Sequence, residues 1–509
     1  MSLPASFMVD DADVTSLRNI VKHLADIGFG ERLVRERLGM ADLTEIRWRA
    51  LPIYREEQLA ARDPLASAID LFLLQGAIPL TELDVLFPRA DQEVLVRAGI
   101  LLRDEGGSAR ARASLYPVGD RLVFSDHAWP SLPHPGSAIV PSDHVMSIGT
   151  DSHWLARATV RRQVGRALDL CTGSGIHALL ASAHSQRVHA VDINPRAAQC
   201  TRFNIQTSGA TNIEVRVGDL YEPVRGERYD LITANPPFVP SPRDLIQYRD
   251  GGRSGEDIQR RIIAGLPQFL APEGMAQMVT ELGERGDEPL ADRLREWLGG
   301  APMDIHILRL SEHSPSNYAI GHADGDESYE TFLNSVHDWA SNLKRQGYTR
   351  VVSVLLAFQW SDSALGLPWT RSETPQSLHA TAGSEVEAAF LAERAWRKSN
   401  LHGLLETERI SRAGPIALLE ARVLGHKAHT TTFQAQLLGK ALPILQKLDS
   451  VEREILLLIE NPLTISELLP LAERLKLEKE VIMTAIGSLI RRGLVLSDQA
   501  VVVSSSSVN

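Results

Sequence analysis

Short apolar runs alternate with amphipathic stretches through the middle of the chain. The apolar runs fall at residues 167–170, 188–193, 213–217, 229–234, 275–281, 303–310 and 350–358. Short β-rich runs alternating with helical ones suit parallel strands joined by helical crossovers. The pattern predicts an α/β fold: a Rossmann-like, doubly wound sheet of seven strands covered by helices on both faces. A helix is expected around 329–343, inside the long connection between the last two strands.

The flanks read differently. Leu17, Ile20, Val21, Leu24, then Leu33, Val34 and Leu38 recur at helical spacing, interrupted at Gly28 and Gly30, and predict two small helices. Residues 66–74, 80–86 and 92–98 also read as helices, followed by a hairpin of 99–102 and 121–124 around a Gly/Ser/Arg-rich tip at 106–112. Three helices and then a hairpin is the winged-helix order. The C-terminal end repeats it, with helices at 451–459, 465–475 and 478–491 and strands at 493–496 and 501–503. The expected division is therefore 1–130, helical and winged-helix-like; 131–365, the α/β core; 366–445, a helical or loop linker; and 446–509, winged-helix-like. Winged helices bind DNA in some proteins and serve as packing or docking modules in others. An excess of acidic over basic residues in the C-terminal copy favours the second use.

A chain of 509 residues exceeds one ordinary core, which agrees with several folded parts. A formal charge of −11 gives no global attraction to nucleic acid, so any such contact has to be local. Cys171 and Cys200 are the only cysteines, too few for a disulfide framework or a Cys/His zinc cluster, so no metal is expected. The first eleven residues lack a basic-then-apolar leader, and no run approaches membrane-spanning length. The expectation is a cytoplasmic protein without a membrane partner.

The run 167–180 delivers Asp169 at the end of a strand, turns through Cys171, Thr172, Gly173 and Gly175, and enters a helix at once. Glycines there let backbone pass close to a ligand. The next strand ends in Asp192, Ile193, Asn194 and Pro195, about twenty residues on, where a carboxylate suits both hydroxyls of a ribose. Asn194-Pro195 opens the following helix. After the third strand come Asp219 and Leu220; Asp219 is either an acceptor for an adenine amine or a solvated loop acid.

The sharpest feature is Asn235-Pro236-Pro237-Phe238 at the end of the fourth strand, the edge where open α/β sheets bind ligands. An amide or exocyclic amine is a poor nucleophile because its lone pair is delocalised. Accepting its N–H groups on the Asn235 side-chain oxygen and the Pro236 carbonyl raises electron density on nitrogen and aims it. The prolines hold the loop rigid, and Phe238 offers a face for stacking. Farther on, Tyr248, Arg249, Gly251 and Gly252 form either a substrate loop or a solvated one.

These motifs resemble the small-domain superfamily of class I S-adenosylmethionine-dependent methyltransferases, most closely the HemK-like branch, which methylates a glutamine amide in release factors. The resemblance covers Asp169 to Gly175, Asp192 to Pro195, Asn235 to Phe238, and the helix entry at Gly251, Gly252 and Gly255. Cys171 departs from a position often taken by glycine. The resemblance implies that Asp169, Cys171, Thr172, Gly173, Gly175, Asp192, Ile193, Asn194, Asp219, Leu220 and Asn235 hold S-adenosyl-L-methionine, leaving S-adenosyl-L-homocysteine after transfer. The whole layout resembles uncharacterised bacterial methyltransferases with N- and C-terminal extensions. Relatives bearing Asn-Pro-Pro-aromatic also methylate nucleic-acid bases, so the acceptor is left as a protein amide, an RNA or DNA base, or a small molecule.

Overall fold

The computed structural model describes residues 7–47, 50–128, 141–243, 247–286, 288–323, 328–402, 407, 409–424, 429–474 and 476–498. Its strands include β1 (Val164–Leu170), β2 (Ser185–Asp192), β3 (Ile213–Val217), β4 (Tyr229–Ala234), β5 (Leu270–Arg285), β6 (Met303–His313), β7 (Tyr348–Trp360) and β8 (Thr370–Glu373). They form one sheet in the order β8-β6-β7-β5-β4-β1-β2-β3. The pairings β1–β2, β2–β3, β1–β4 and β4–β5 are parallel. Chain order reverses between β1 and β4, which leaves a crevice at the carboxyl ends of those two strands. Helices α1 (Thr150–Ala158), α2 (Ile176–Ser182), α3 (Pro195–Ser208) and α4 (Asp257–Phe269) surround that edge.

The α/β fold agrees with the sequence pattern, with one strand more than the seven expected. The extra strand, β8, pairs in parallel with β6. Its sequence Thr-Arg-Ser-Glu carries no apolar run, so nothing in the pattern marked it. The anticipated helix at 329–343 is Tyr329–Arg345, and a short helix, Pro315–His322, precedes it unannounced.

Contacts group the described residues into two units. The first comprises Met1–Ala156, Arg162–Ala301 and Ser311–Leu355; the second comprises Arg157–Arg161, Pro302–Leu310 and Leu356–Asn509. In the first, helices Val14–Asp26 and Glu31–Leu38 appear as expected. The hairpin does not. Leu101–Arg103 pairs with Ser108–Ala111, which also pairs with Ala77–Pro79, and Arg121–Ser125 pairs with Ser114–Val118, giving a three-stranded sheet and a separate ribbon where one long hairpin was expected. The tip residues 108–111 are the missed partner, because neighbouring strands close at lower entropic cost than distant ones. The core of this part runs on to α2 and α3: Phe124 meets Phe203 edge-on at 5.3 Å.

In the second unit, the stretch 366–445 expected as helix and loop holds the helix Ala382–His402 and also two long strands. Ile416–Leu424 pairs antiparallel with His429–Leu437, which pairs with Gln446–Leu448. Ile-Ala-Leu-Leu-Glu-Ala-Arg lacks strict alternation and is rich in helix formers, so its strand character comes from pairing rather than propensity. Helices Ser450–Leu458, Ile465–Glu473 and Lys479–Arg491 match expectation, and Val495–Ser497 pairs with Arg409–Arg412 from far upstream. The strand expected at 501–503 lies outside the described residues. Among the described residues, no helix is long and apolar enough to cross a membrane.

Candidate functional site

The glycine loop leaves β1 in left-handed backbone. Cys171, Gly173 and Gly175 have φ of +55°, +57° and +83°. Such a path turns the chain within a few residues, and only glycine enters it without strain. The loop is tied from three sides. Thr172 N donates to Val191 O at 3.1 Å, Gly173 N to Asp192 Oδ2 at 2.8 Å, and Thr201 Oγ1 to Gly173 O at 2.9 Å. Asn204, on α3, donates through Nδ2 to both Ser174 O and Phe124 O, and so fastens the loop to the N-terminal ribbon.

Asp169 lies 1% exposed beneath this loop. It accepts from Thr172 Oγ1 at 2.6 Å, Thr233 Oγ1 at 2.8 Å and Ala178 N at 3.2 Å. Burial pushes its carboxyl up to about 6, against the pull of these donors. The carboxylate is thus committed to holding β1, the loop, β4 and α2 in register. Burial likewise raises the Cys171 thiol well above its ordinary value.

Asp192, at the end of β2, accepts Gly173 N on one oxygen and Asn194 N, at 2.9 Å, on the other. Burial raises its carboxyl too. Asn194 caps α3 by accepting from Arg196 N, and Ile193 beside it is 55% exposed, an apolar side chain left open at the crevice. Asp219 carries an ion pair with Arg261 at 2.6 Å that the sequence did not signal. Leu220 is buried with φ +48°. All these residues belong to the first unit.

At the end of β4, Asn235 Nδ2 donates to Asp151 Oδ2 at 2.9 Å and to Ser152 Oγ at 3.2 Å. Its Oδ1 is buried and has no hydrogen-bond partner among the described residues. An acceptor left buried and unpaired costs about 1–3 kcal/mol, a cost that a bound donor would relieve.

Beside it opens a cavity of about 360 Å³, lined by Asp151, Trp154, Pro236, Phe238, Tyr248 and Glu281 among others. The loop from Tyr248 to Gly252 is stitched to the proline turn. Phe238 N and Val239 N both donate to Arg249 O, Gly251 N donates to Val239 O, and Ser241 N donates to Gly252 O. Gly251 is required there, since a Cβ would stand 2.9 Å from Pro237 O. The structure therefore brings Tyr248, Arg249, Gly251 and Gly252 together with Asn235, Pro236, Pro237 and Phe238.

Two acids of the cavity escaped the sequence reading. Asp151 sits in the first turn of α1, where an acid reads as ordinary favourable placement at a helix start. Glu281 ends the apolar run of β5 and accepts from Tyr318 Oη at 2.5 Å and Ser353 Oγ at 3.2 Å. A charged residue inside a buried strand was the available signal. Burial raises both carboxyls.

Residues 145–297 match the family model of the methyltransferase small domain. The chain is similar to ribosomal protein uL3 glutamine methyltransferase of Bradyrhizobium diazoefficiens, 38% identical over 138 residues, and of Bordetella pertussis, 36% over 165. It is also similar to release factor glutamine methyltransferase of Geobacter sulfurreducens, 30% over 149 residues. These matches take in 25%, 29% and 26% of this chain and 42%, 55% and 51% of the relatives; the chain spans about half the length of the curated relatives it matches.

Proposed function

We propose that the protein is an S-adenosylmethionine-dependent N-methyltransferase whose acceptor is the side-chain amide of a protein glutamine. The observation that carries this reading is the buried, unpartnered Oδ1 of Asn235 beside a cavity walled by Pro236 and Phe238. The similar uL3 and release factor enzymes are named for glutamine methylation, which supports the amide as acceptor.

Asp192, Ile193, Asn194, Asp219 and Leu220 hold the nucleoside part of the cofactor. Cys171, Thr172, Gly173 and Gly175 present backbone to its amino-acid part. The tied, left-handed loop fits such a ligand because no side chain projects from either glycine. When bound, S-adenosylmethionine supplies a methyl group on a sulfonium centre. The protein's own task is positioning. Asn235 Oδ1 and the Pro236 carbonyl accept the two N–H groups of the amide, orienting its nitrogen. Phe238 covers the flat face of the amide, and the loop from Tyr248 to Gly252 closes the site from water. No strong base is required, since the nitrogen sheds its proton once it carries positive charge. We place the protein in a reducing cytoplasm, in keeping with its two free thiols.

Trp154 and Phe238 line the same cavity, and this pair favours a nucleobase amine as the second reading. Incubation of the purified chain with cell extract and methyl-labelled S-adenosylmethionine separates the two. Protease release of the label supports the amide, and nuclease release supports the base. Asn235→Ala should abolish transfer while calorimetry still detects cofactor; undiminished turnover would overturn the assignment.

A further inference from the structure

We propose that Asp151 is a positioning residue that acts through Asn235, locking its side-chain amide so that the oxygen, and not the nitrogen, meets the methyl acceptor. The proposal rests on the role assigned above to Asn235.

The two ends of an asparagine amide are nearly equal in shape and opposite in hydrogen-bonding sense. If the group turned over, Nδ2 would confront the N–H groups of the acceptor, donor against donor, and the site would lose its hold. Among the described residues, the hydrogen bonds of the Asn235 side chain run to Asp151 and Ser152 and none to the proline turn. What prevents the rotation is the far side of the amide. Asp151 Oδ2 stands 2.9 Å from Nδ2. An ionised carboxylate only accepts, so a turned-over Asn235 would set Oδ1 against Asp151 and lose a charge-assisted bond. Ser152 Oγ could serve either orientation, because a hydroxyl both donates and accepts. The choice falls to Asp151.

The backbone is shaped to keep that carboxylate in place. A Cβ on Gly149 would lie 2.8 Å from Asp151 Oδ1, so the glycine leaves the space the carboxylate occupies. The same residue begins the helix by accepting His153 N at 3.1 Å. Asp151 thus reaches Asn235 from a rigid first turn on a different element of the fold, which is why the acceptor's orientation is not encoded in the proline turn itself.

The lock depends on the charge of Asp151. A protonated carboxyl can donate as well as accept, and it would tolerate either orientation of Asn235. Burial raises this carboxyl; His153 on its own helix and Glu281 on β5 interact with its charge, and Tyr248 and Arg249 on the proline-turn loop and His313 at the end of β6 line the same cavity. The Asn235 amide should therefore be held less firmly as pH falls through the titration of Asp151.

The test begins on the free protein, so it needs no identified acceptor. In chain labelled with ¹⁵N-asparagine, the side-chain resonance that vanishes in Asn235→Ala is that of Asn235. It should shift with pH in the wild type and stop following that titration in Asp151→Asn. Labelled methyl transfer into extract should fall about 100-fold in Asp151→Asn, the scale of a misplaced reacting group, while calorimetric affinity for S-adenosylmethionine stays unchanged. Gly149→Ala, which crowds the carboxylate and retains it, should slow transfer in the same direction and covers the case in which Asp151→Asn does not fold. A resonance indifferent to Asp151, or wild-type transfer in both variants, overturns this proposal while leaving the assignment of Asn235 intact. If Asn235→Ala also transfers normally, the functional reading itself is what fails.

Discussion

The methyl group of Thr201 stands where a side chain at Gly175 would begin: a Cβ there would lie 2.7 Å from Thr201 Cγ2. The hydroxyl of the same threonine accounts for the carbonyl of Gly173. One residue of α3 thus fills the space behind the loop and fixes its path, and the loop has to carry glycine on two separate grounds, contact and left-handed backbone.

Gly175→Ala should therefore destabilise the protein through both the clash and a φ of +83°, the backbone part alone costing about 1–2 kcal/mol. Adding Thr201→Ser removes the crowding methyl and keeps the hydroxyl. Chemical denaturation should show the double variant recovering part of the loss and not all of it. Complete recovery would mean that backbone conformation contributes nothing at this position.

Asp169 makes stability depend on pH. Burial raises its carboxyl from 3.8 to about 6 in the folded chain. A raised folded value means that the protonated form is favoured by folding. Its contribution is complete below the unfolded value and is lost as pH rises through 6. Asp169→Asn, neutral at every pH, should gain on the wild type by about 2 kcal/mol between about pH 4.5 and 7.5. Urea titrations at the two pH values measure that difference, and a constant gap between the chains would contradict the buried-carboxyl account.

Asp192 joins two jobs, fixing Gly173 and presenting a carboxylate at the crevice. Asp192→Ala should weaken S-adenosylmethionine binding about tenfold to a hundredfold, the worth of one or two charge-assisted hydrogen bonds. Calorimetry reads this directly. Unaltered affinity would remove Asp192 from the cofactor site.

Much of this protein was legible along the chain. The parallel core was, because β-rich runs alternate with stretches long enough for helical crossovers. So was the edge of the sheet that carries the site, because Asp169, the glycines, Asp192 and Asn235 all fall at strand ends, where short-range geometry demands particular residue types. What pairs with what was not legible. Ile416–Leu424 reads as helix former and becomes a strand only through His429–Leu437, and the edge strand Thr370–Glu373 exists because β6 offers it hydrogen bonds.

The chain alone determined that an asparagine stands at the end of the fourth strand between an apolar run and two prolines. Only the tertiary structure decided what its amide nitrogen meets, since that partner is Asp151, 84 positions away in the chain. Sequence patterns report contacts between near neighbours, where spacing and chain stiffness limit the outcomes. A hydrogen bond closed across such a distance is set by packing of the whole domain, and leaves no local trace.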